Sequence, residues 1–373
     1  MSRPVIVADR DIPFLAGVLE PWFEVRYLAG NAIGPSDIRD AVALLVRTRT
    51  RCNASLLAES AVRFIGTATI GTDHIDTEYC ASRGITVASA PGCNAAAVAQ
   101  YVRVALRALA LDRPGTTLGI IGVGHVGSLV AEVGRRAGMH VLLNDPPREA
   151  AEGKSSCESA ESVPSCESAE SAPSCESIEG HASCEIAESV PLCDAMEDLG
   201  HDGFRPSGFT PLPALLAASD VVTLHIPLWP ENRDFADEAF FAAMKPGATF
   251  INASRGEVVD ETALLAARPR LGHLVLDVWK NEPAINRALL AASDIATPHI
   301  AGYSIQGKIN GTQAVVRALG EAFGIAPLRS FEVPGVPLPQ TPYDIWQDDS
   351  ALRRDPSSFE SLRRHYSFRN DQL

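Results

Sequence analysis

Short apolar runs alternate along the chain with alanine-rich stretches whose apolar residues have helical spacing. The runs are rich in β-branched residues and too short for helices, so they predict buried strands at 5–8, 42–46, 64–66, 117–121, 141–144, 221–224, 249–252, 274–276 and 295–297. Helices are predicted at 94–111, 126–137, 211–218, 237–244, 260–267 and 304–323, and Asp237 and Asp260 stand where N-caps are expected. Strands this apolar, alternating with helices, are typical of parallel sheets covered on both faces. The predicted fold class is therefore α/β.

One segment breaks this alternation. A nine-residue unit, Ser-Cys-Glu-Ser-Ala-Glu-Ser-Val-Pro, recurs with small changes and places a cysteine every nine residues, at Cys157, Cys166, Cys175, Cys184 and Cys193. Between Lys154 and Asp202 it carries twelve acidic residues against one lysine, and it has no large apolar face. This composition predicts a disordered acidic loop over 151–208. Metal binding by the thiols and carboxylates is the alternative, but the spacing matches no zinc template, and no metal is expected.

Charge and cysteine usage narrow the class of protein. The net charge is −14, most of it in the repeat, and no block of lysine and arginine occurs, so nucleic acid is not an expected partner. The other cysteines, Cys52, Cys80 and Cys93, are scattered and suggest no disulfide framework. Neither a signal-peptide pattern nor an uninterrupted membrane-length apolar stretch is present, so we expect a cytoplasmic protein with no membrane partner.

A glycine-rich turn follows the predicted strand at 117–121. It reads Gly122-Val-Gly124-His-Val-Gly127 and leads into a helix, which is the context that a dinucleotide-binding G-x-G-x-x-G motif requires. The helix N-terminus at His125 and Val126 would offer N–H groups to a pyrophosphate. Asp145 ends the next strand, where a carboxylate accepts hydrogen bonds from the adenosine ribose and repels a 2′-phosphate. The motif favours NAD, although Arg148 nearby leaves NADP open.

Three later segments carry side chains suited to a 2-hydroxy acid. Each follows a predicted strand, and they centre on Arg255, on Asp277 with Glu282, and on His299. In open α/β sheets, ligands bind at the carboxyl ends of the strands. There an arginine can grip a carboxylate with two hydrogen bonds. A histidine can take a hydroxyl proton while hydride leaves the same carbon, and a glutamate beside it orients the ring.

These segments resemble the D-isomer-specific 2-hydroxyacid dehydrogenases. Stretches 64–74, 90–95, 144–148 and 299–303, together with Gly307-Lys308, resemble the branch of that family that acts on phosphorylated erythronate in pyridoxal 5′-phosphate biosynthesis. The resemblance implies that Arg255, Glu282 and His299 are catalytic. It also implies that NAD oxidises 4-phospho-D-erythronate to (R)-3-hydroxy-2-oxo-4-phosphooxybutanoate. The cofactor contacts that it implies are Asp145, Ala253, Ser254, Arg255, Asp277 and Gly302, and the substrate contacts are Thr48, Thr69 and Tyr303.

Charge alone adds candidates for the terminal phosphate. Arg47, Arg49 and Lys308 could each bind it, although for Arg49 plain surface solvation is at least as good an interpretation. Two other functions stay open at this point. One is a dehydrogenase for another 2-hydroxy acid, such as a glycerate. The other is an NAD-sensing binding protein that uses the acidic repeat as a partner-binding arm.

The resemblance also implies a domain organisation. A discontinuous flavodoxin-like substrate domain would comprise 1–93 and 284–323, and a Rossmann-type NAD-binding domain would comprise 94–283, interrupted by the repeat loop. The tail at 324–373 resembles a dimerisation region but is much shorter than the family's, and a homodimer is expected. Ile226 replaces a cofactor-contacting threonine of the family, so no contact is expected there.

Overall fold

A computed structural model of the chain describes residues 3–149 and 208–372. The acidic loop predicted over 151–208, with its five cysteines, lies outside the described residues apart from its last position. Residues up to Asp145 and from Thr210 onward form one compact unit that holds two parallel sheets.

The first sheet contains five strands. These are β1 (Val5–Asp9), β2 (Glu24–Leu28), β3 (Ala41–Val46), β4 (Phe64–Thr67) and β5 (Thr86–Ala88), in the order β2-β1-β3-β4-β5. All of its strand pairs are parallel. Helices α1 (Pro35–Ile38), α2 (Ala54–Leu57) and α3 (Thr77–Ser82) connect them.

The second sheet contains six strands. These are β6 (Thr117–Ile121), β7 (His140–Asn144), β8 (Val221–Leu224), β9 (Thr249–Asn252), β10 (Leu274–Leu276) and β11 (Ile295–Ala296), in the order β11-β10-β9-β8-β6-β7. Every pair is parallel. Because β6 has β7 on one side and β8 on the other, the strand order reverses there, and a crevice opens at the carboxyl ends of β6 and β8.

Helices cover both sheets and form the tail. They are α4 (Ala95–Ala108), α5 (His125–Arg136), α6 (Leu212–Ala218), α7 (Glu238–Ala243), α8 (Glu261–Ala267), α9 (Arg287–Ala292), α10 (Ile305–Phe323), α11 (Ala326–Arg329), α12 (Ile345–Arg354) and α13 (Phe359–Arg364). The long helix α10 follows the second sheet but returns to the first, where Val315, Val316 and Leu319 share a core with Ile6 and Phe64. This return supports the discontinuous substrate domain, whose boundaries stay a prediction.

The tail packs on its own chain. Leu352 and Phe359 are fully buried in the core of the second sheet, and the Ala296 N–H donates to Asp349 Oδ1 over 2.8 Å. Arg353 donates to the carbonyls of Leu290 and Ser293 over 2.9 and 2.7 Å. The last 50 or so residues therefore pack α12 and α13 against the core of the second sheet, with α12 beside β11. None of the helices in the described ranges has the length and apolarity needed to cross a membrane.

The predicted elements are confirmed, with two omissions among the strands. All nine predicted strands and all six predicted helices form, and the carboxylates of Asp237 and Asp260 cap α7 and α8 as expected. The omitted strands β2 and β5 lie at the two edges of the first sheet. Edge strands are partly exposed and carry polar residues, so they lack the apolar signal of central strands.

Candidate active site

Glycines shape the turn that follows β6. Gly122 has φ +87°, and a Cβ there would lie 2.6 Å from the carbonyl oxygen of His225, so only glycine fits. A Cβ on Gly127 would clash with the carbonyl of Gly122. Because glycine has no Cβ, α5 can start directly against the strand. The turn is therefore fixed by the absence of side chains.

The same turn leaves room for a ligand. No atom lies within 4 Å of a Cβ built on Gly124, and Gly124 and His125 are both exposed at the start of α5, a helix of 12 residues. The N–H groups of a helix's first turn, here including Val126 and Gly127, have no acceptor within the helix, and the positive end of the helix dipole favours an anion. The turn therefore fits a dinucleotide pyrophosphate.

Asp145 is tied to this turn from the end of β7. The backbone N–H of Val123 donates to Asp145 Oδ2 over 2.7 Å, which places the half-buried carboxylate beside the glycine turn. A carboxylate in this position can accept hydrogen bonds from ribose hydroxyls and repels a 2′-phosphate. The predicted contact between Asp145 and the ribose stays a prediction.

His299 and Glu282 form a hydrogen-bonded pair that is suited to proton transfer. His299 Nδ1 lies 2.8 Å from Glu282 Oε2, and the Trp279 N–H donates to the other carboxylate oxygen over 3.0 Å. Burial alone would raise the pKa of Glu282, but the His299 ring and the Arg363 guanidinium hold that pKa below its ordinary value. The carboxylate is thus ionised at neutral pH and fixes the ring, leaving His299 Nε2 to exchange a proton with a substrate.

Asp277 holds the turn that carries His299. Its fully buried carboxylate accepts from the Thr297 hydroxyl over 2.6 Å and from the N–H groups of Ile300 and Ala301 over 2.8 and 2.9 Å. The His299 N–H donates to the Asp277 carbonyl over 2.7 Å, and His299 has φ +57°. Asp277 therefore positions the turn that carries His299, and its predicted contact with the cofactor stays a prediction.

A residue missed by the sequence analysis holds the same turn from the other side. Arg369, buried near the end of the tail, donates to the carbonyls of Ile300 and Tyr303 over 2.9 and 3.2 Å and also contacts that of Ala301. A second branch of its guanidinium reaches the carbonyl of Ala97 over 3.1 Å. No local pattern marks this arginine, since all four carbonyls lie more than 60 residues away in the sequence.

Arg255 lies beside the loop that follows β4. Its Nε donates to Asp73 over 3.2 Å, its Nη1 donates to the Ser254 carbonyl over 2.8 Å, and its guanidinium contacts Gly71. The hydroxyl of Thr69 donates to the carbonyl of the same Gly71 over 3.2 Å. The structure thus brings the predicted Arg255 and Thr69 together, and Asp73 is a counter-ion that the sequence analysis missed.

The backbone of 252–255 is also constrained. Asn252 Oδ1 accepts from both the N–H and the hydroxyl of Ser254, over 3.0 and 2.8 Å. Asn252 also donates through its side-chain amide to the Arg255 carbonyl over 2.9 Å. These bonds fix Ala253 and Ser254 at the carboxyl end of β9, at the same edge of the sheet as the glycine turn.

A group of cations lies around Tyr303. Lys308 Nζ sits 4.1 Å from the centre of the Tyr303 ring, and burial, with smaller contributions from Arg47 and Arg363, lowers the pKa of Lys308 to about 7. Arg47 donates to the Asp11 carbonyl over 3.0 Å. The exposed Thr48 follows Arg47 at the end of β3.

Gly302, a predicted cofactor contact, and Arg49, a candidate phosphate ligand, both have close partners. Gly302 lies against the side-chain amide of Asn94, with no room for a Cβ. Arg49 forms an ion pair with Glu360 of the tail over 2.9 Å, so its guanidinium is not simply solvated at the surface. Within 3–149 and 208–372, no three His, Cys, Asp or Glu side chains are grouped to hold a metal ion.

Comparison with known proteins identifies the family. The model of the D-isomer-specific 2-hydroxyacid dehydrogenase NAD-binding domain matches residues 95–178 and 196–301. Over 395 aligned positions the chain is 37% identical to the erythronate-4-phosphate dehydrogenase of Bacteroides fragilis, covering 98% of this chain and 97% of that protein. The chain belongs to the D-isomer-specific 2-hydroxyacid dehydrogenases. The family and the NAD-binding domain predicted from the sequence are thereby confirmed.

Further relatives agree with this dehydrogenase family. The erythronate-4-phosphate dehydrogenase of Salinibacter ruber is 40% identical over 334 positions, which cover 87% of this dehydrogenase and 73% of that protein. A crystal structure of D-lactate dehydrogenase from Aquifex aeolicus, complexed with NAD and lactic acid, matches with a TM-score of 0.62 at 24% identity. That match covers 89% of this chain and 100% of the other, and it shows the shared fold.

Proposed function

We propose that this dehydrogenase oxidises 4-phospho-D-erythronate at C2 to (R)-3-hydroxy-2-oxo-4-phosphooxybutanoate, with NAD as the cofactor, in pyridoxal 5′-phosphate biosynthesis. The observation that carries the proposal is the 2.8 Å pair of His299 and Glu282 at the sheet edge that also holds the glycine turn. The cations around Tyr303 support a phosphorylated substrate. The curated relatives named above carry the corresponding enzyme name.

Each residue has a separate task in this reaction. His299 Nε2 takes the C2 hydroxyl proton, and Glu282 fixes the ring and stabilises its protonated form. Arg255 holds the substrate carboxylate, and Thr69 adds a hydroxyl beside it. NAD, when bound on the turn at Gly124, supplies the acceptor for the hydride that leaves C2.

Two alternatives differ in what they leave unexplained. A glycerate-type dehydrogenase would use the same His299 and Glu282, but the cations Lys308 and Arg47 would have no phosphate to bind. An NAD-sensing protein would need the glycine turn but not an ionised glutamate held against a histidine. Measured turnover separates the sensor from both dehydrogenases.

The remaining predictions belong to the same proposal. A cytoplasmic location is consistent with Cys52, Cys80 and Cys93, which are free thiols. A homodimer is consistent with Trp346 of the tail helix α12, whose side chain is 44% exposed. Cell fractionation tests the first, and analytical ultracentrifugation tests the second.

NADH absorbance with a substrate panel tests the main proposal. The panel contains 4-phospho-D-erythronate, D-erythronate, D-glycerate and 3-phospho-D-glycerate, each with NAD and with NADP. We expect the highest kcat/KM for 4-phospho-D-erythronate with NAD. A higher value for either glycerate would favour the alternative dehydrogenase, and equal use of NADP would contradict the place given to Asp145.

A further inference from the structure

The tail contributes an arginine to the catalytic pair. Arg363, on α13, places Nη1 3.8 Å from Glu282 Oε2, the oxygen that pairs with His299, and 3.1 Å from Glu360 Oε1. Its side chain is 16% exposed, so the guanidinium is largely buried but still reachable. The described function has no task for this residue.

Arg363 joins a set of cations with too few counter-ions. It interacts with Tyr303, whose ring carries Lys308 on its face. Lys308 has no carboxylate within ion-pair distance in the part of the chain that the structure describes. The positive side chains in this group are Arg47, Arg49, Lys308 and Arg363.

The two carboxylates near these cations are already shared. Glu282 pairs with His299, and Glu360 contacts both Arg49, at 2.9 Å, and Arg363. When Lys308 is protonated, the four cations exceed the two carboxylates by two charges, which matches a phosphate monoester. Partly buried charge without a partner is unfavourable, so an anion bound here would relieve the surplus.

Arg363 also has free donor capacity. Its Nε is buried without a hydrogen-bond partner among the described residues. Its 3.8 Å contact with Glu282 is longer than a hydrogen bond. A planar guanidinium can bind phosphate through two parallel hydrogen bonds, which a lysine cannot do, and the Nε–H of Arg363 has no other acceptor among the described residues.

We propose that Arg363 is a specificity-determining residue that binds the terminal phosphate of the substrate together with Lys308. The inference rests on the proposed function, because it needs a phosphorylated substrate in the site. It gives the tail a direct part in substrate selection within one chain.

Two matched variants test the inference. Arg363→Gln removes the proposed phosphate ligand, and Arg364→Gln removes the same charge from the next, exposed position of α13. Because Arg363 also lies near Glu282, the readout is the ratio of kcat/KM for 4-phospho-D-erythronate to kcat/KM for D-erythronate. In Arg363→Gln we expect this ratio to fall about 10- to 100-fold. Arg364→Gln should change neither value by more than about twofold.

Equal losses on both substrates would overturn the inference, because Arg363 would then act through Glu282 rather than through the phosphate. If Arg363→Gln lowers the melting temperature strongly, Arg363→Lys gives the result instead. Lysine keeps the charge near Glu282 and Glu360 but lacks the planar fork. A reduced preference for the phosphorylated substrate supports the inference, and an unchanged preference contradicts it.

Calorimetric binding of inorganic phosphate to the NAD-loaded protein separates this inference from the proposed function. We expect Arg363→Gln to weaken phosphate binding about tenfold or more and Arg364→Gln to leave it unchanged. If the wild type prefers another 2-hydroxy acid but phosphate binding still depends on Arg363, the proposed function fails and the anion site stands. If the wild type turns over 4-phospho-D-erythronate and Arg363→Gln binds phosphate normally, the inference fails.

Discussion

The turn after β6 and the turn after β11 leave the same edge of the second sheet but are held in different ways. Glycines fix the first turn, because Gly122 and Gly127 allow a backbone path that side chains would block. Buried charged groups fix the second turn, with Asp277 accepting from its N–H groups and Arg369 donating to its carbonyls. The glycines that allow the first turn thus lie within six residues of one another, whereas the second turn depends on the distant tail.

Because the two turns are held in different ways, substitutions in them should impair different steps. Damage to the glycine turn should weaken cofactor binding and leave the proton-transfer residues in place. Damage to the second turn should displace His299 while the pyrophosphate site persists. The two turns can therefore be separated by measuring NAD affinity and turnover in the same variants.

The largest effect should come from His299→Ala. The variant removes the proton acceptor that Glu282 positions, so kcat should fall about 10²- to 10⁴-fold. The NAD dissociation constant, measured by fluorescence titration, should stay within about threefold of the wild-type value, because the ring is not placed in the pyrophosphate site. Near-normal kcat in this variant would remove His299 from the mechanism.

Arg369→Gln should have the next largest effect. It leaves the carbonyls of Ile300 and Tyr303 without a charged donor, so the free energy of unfolding should fall by about 3 kcal/mol. Displacement of His299 should lower kcat about tenfold or more, with a smaller change in NAD affinity. Denaturant titration and steady-state kinetics measure both, with Arg364→Gln as the control. A stable variant with unchanged kcat would show that the tail does not hold this turn.

Gly122→Ala should show the opposite pattern. The methyl group would lie 2.6 Å from the His225 carbonyl, on a residue with φ +87°. We expect the KM for NAD to rise about tenfold, since strain of 1–2 kcal/mol or so displaces the turn. At saturating NAD, kcat should recover most of its value. A lost kcat with an unchanged KM would contradict the separation of the two turns.

Glu282→Gln keeps a hydrogen-bond acceptor beside His299 but removes the charge. Because the pKa of Glu282 lies below its ordinary value, that charge is present throughout the neutral range. Without it the protonated ring that forms during oxidation is less stable, so the whole pH–rate profile should lie lower. The value of kcat should fall about tenfold. A superimposable profile would argue against the pairing.

Lys308 predicts a smaller, pH-dependent effect. Burial, Arg47 and Arg363 lower its pKa to about 7, while the neighbouring Cys93 opposes this shift, and Tyr303 lies under the ammonium group. The side chain is thus charged below about pH 7 and neutral above it. The preference for phosphorylated over unphosphorylated erythronate should fall a few-fold, on the order of 2–5, between pH 6.5 and 8.5. Lys308→Arg stays charged and should abolish this fall.

The features that the sequence predicts are those determined locally, and the features that it misses depend on the distant tail. The central strands, six of the helices and the glycine turn were predictable because local spacing and composition determine them. The pairing of His299 with Glu282 was expected from the resemblance, and the structure supplies its geometry. Arg363 and Arg369 could not be predicted, because their partners lie far away in the sequence and the tail carries no periodic signal that marks them.

Transfer of a C2 deuterium label tests the central claim most directly. Wild-type protein is incubated with NAD and 4-phospho-D-erythronate deuterated at C2, and the reduced cofactor is analysed by mass spectrometry. We predict reduced cofactor that carries one deuterium per turnover, with slower turnover than for the unlabelled substrate when hydride transfer limits the rate. Unlabelled reduced cofactor, or none at all, would contradict the account.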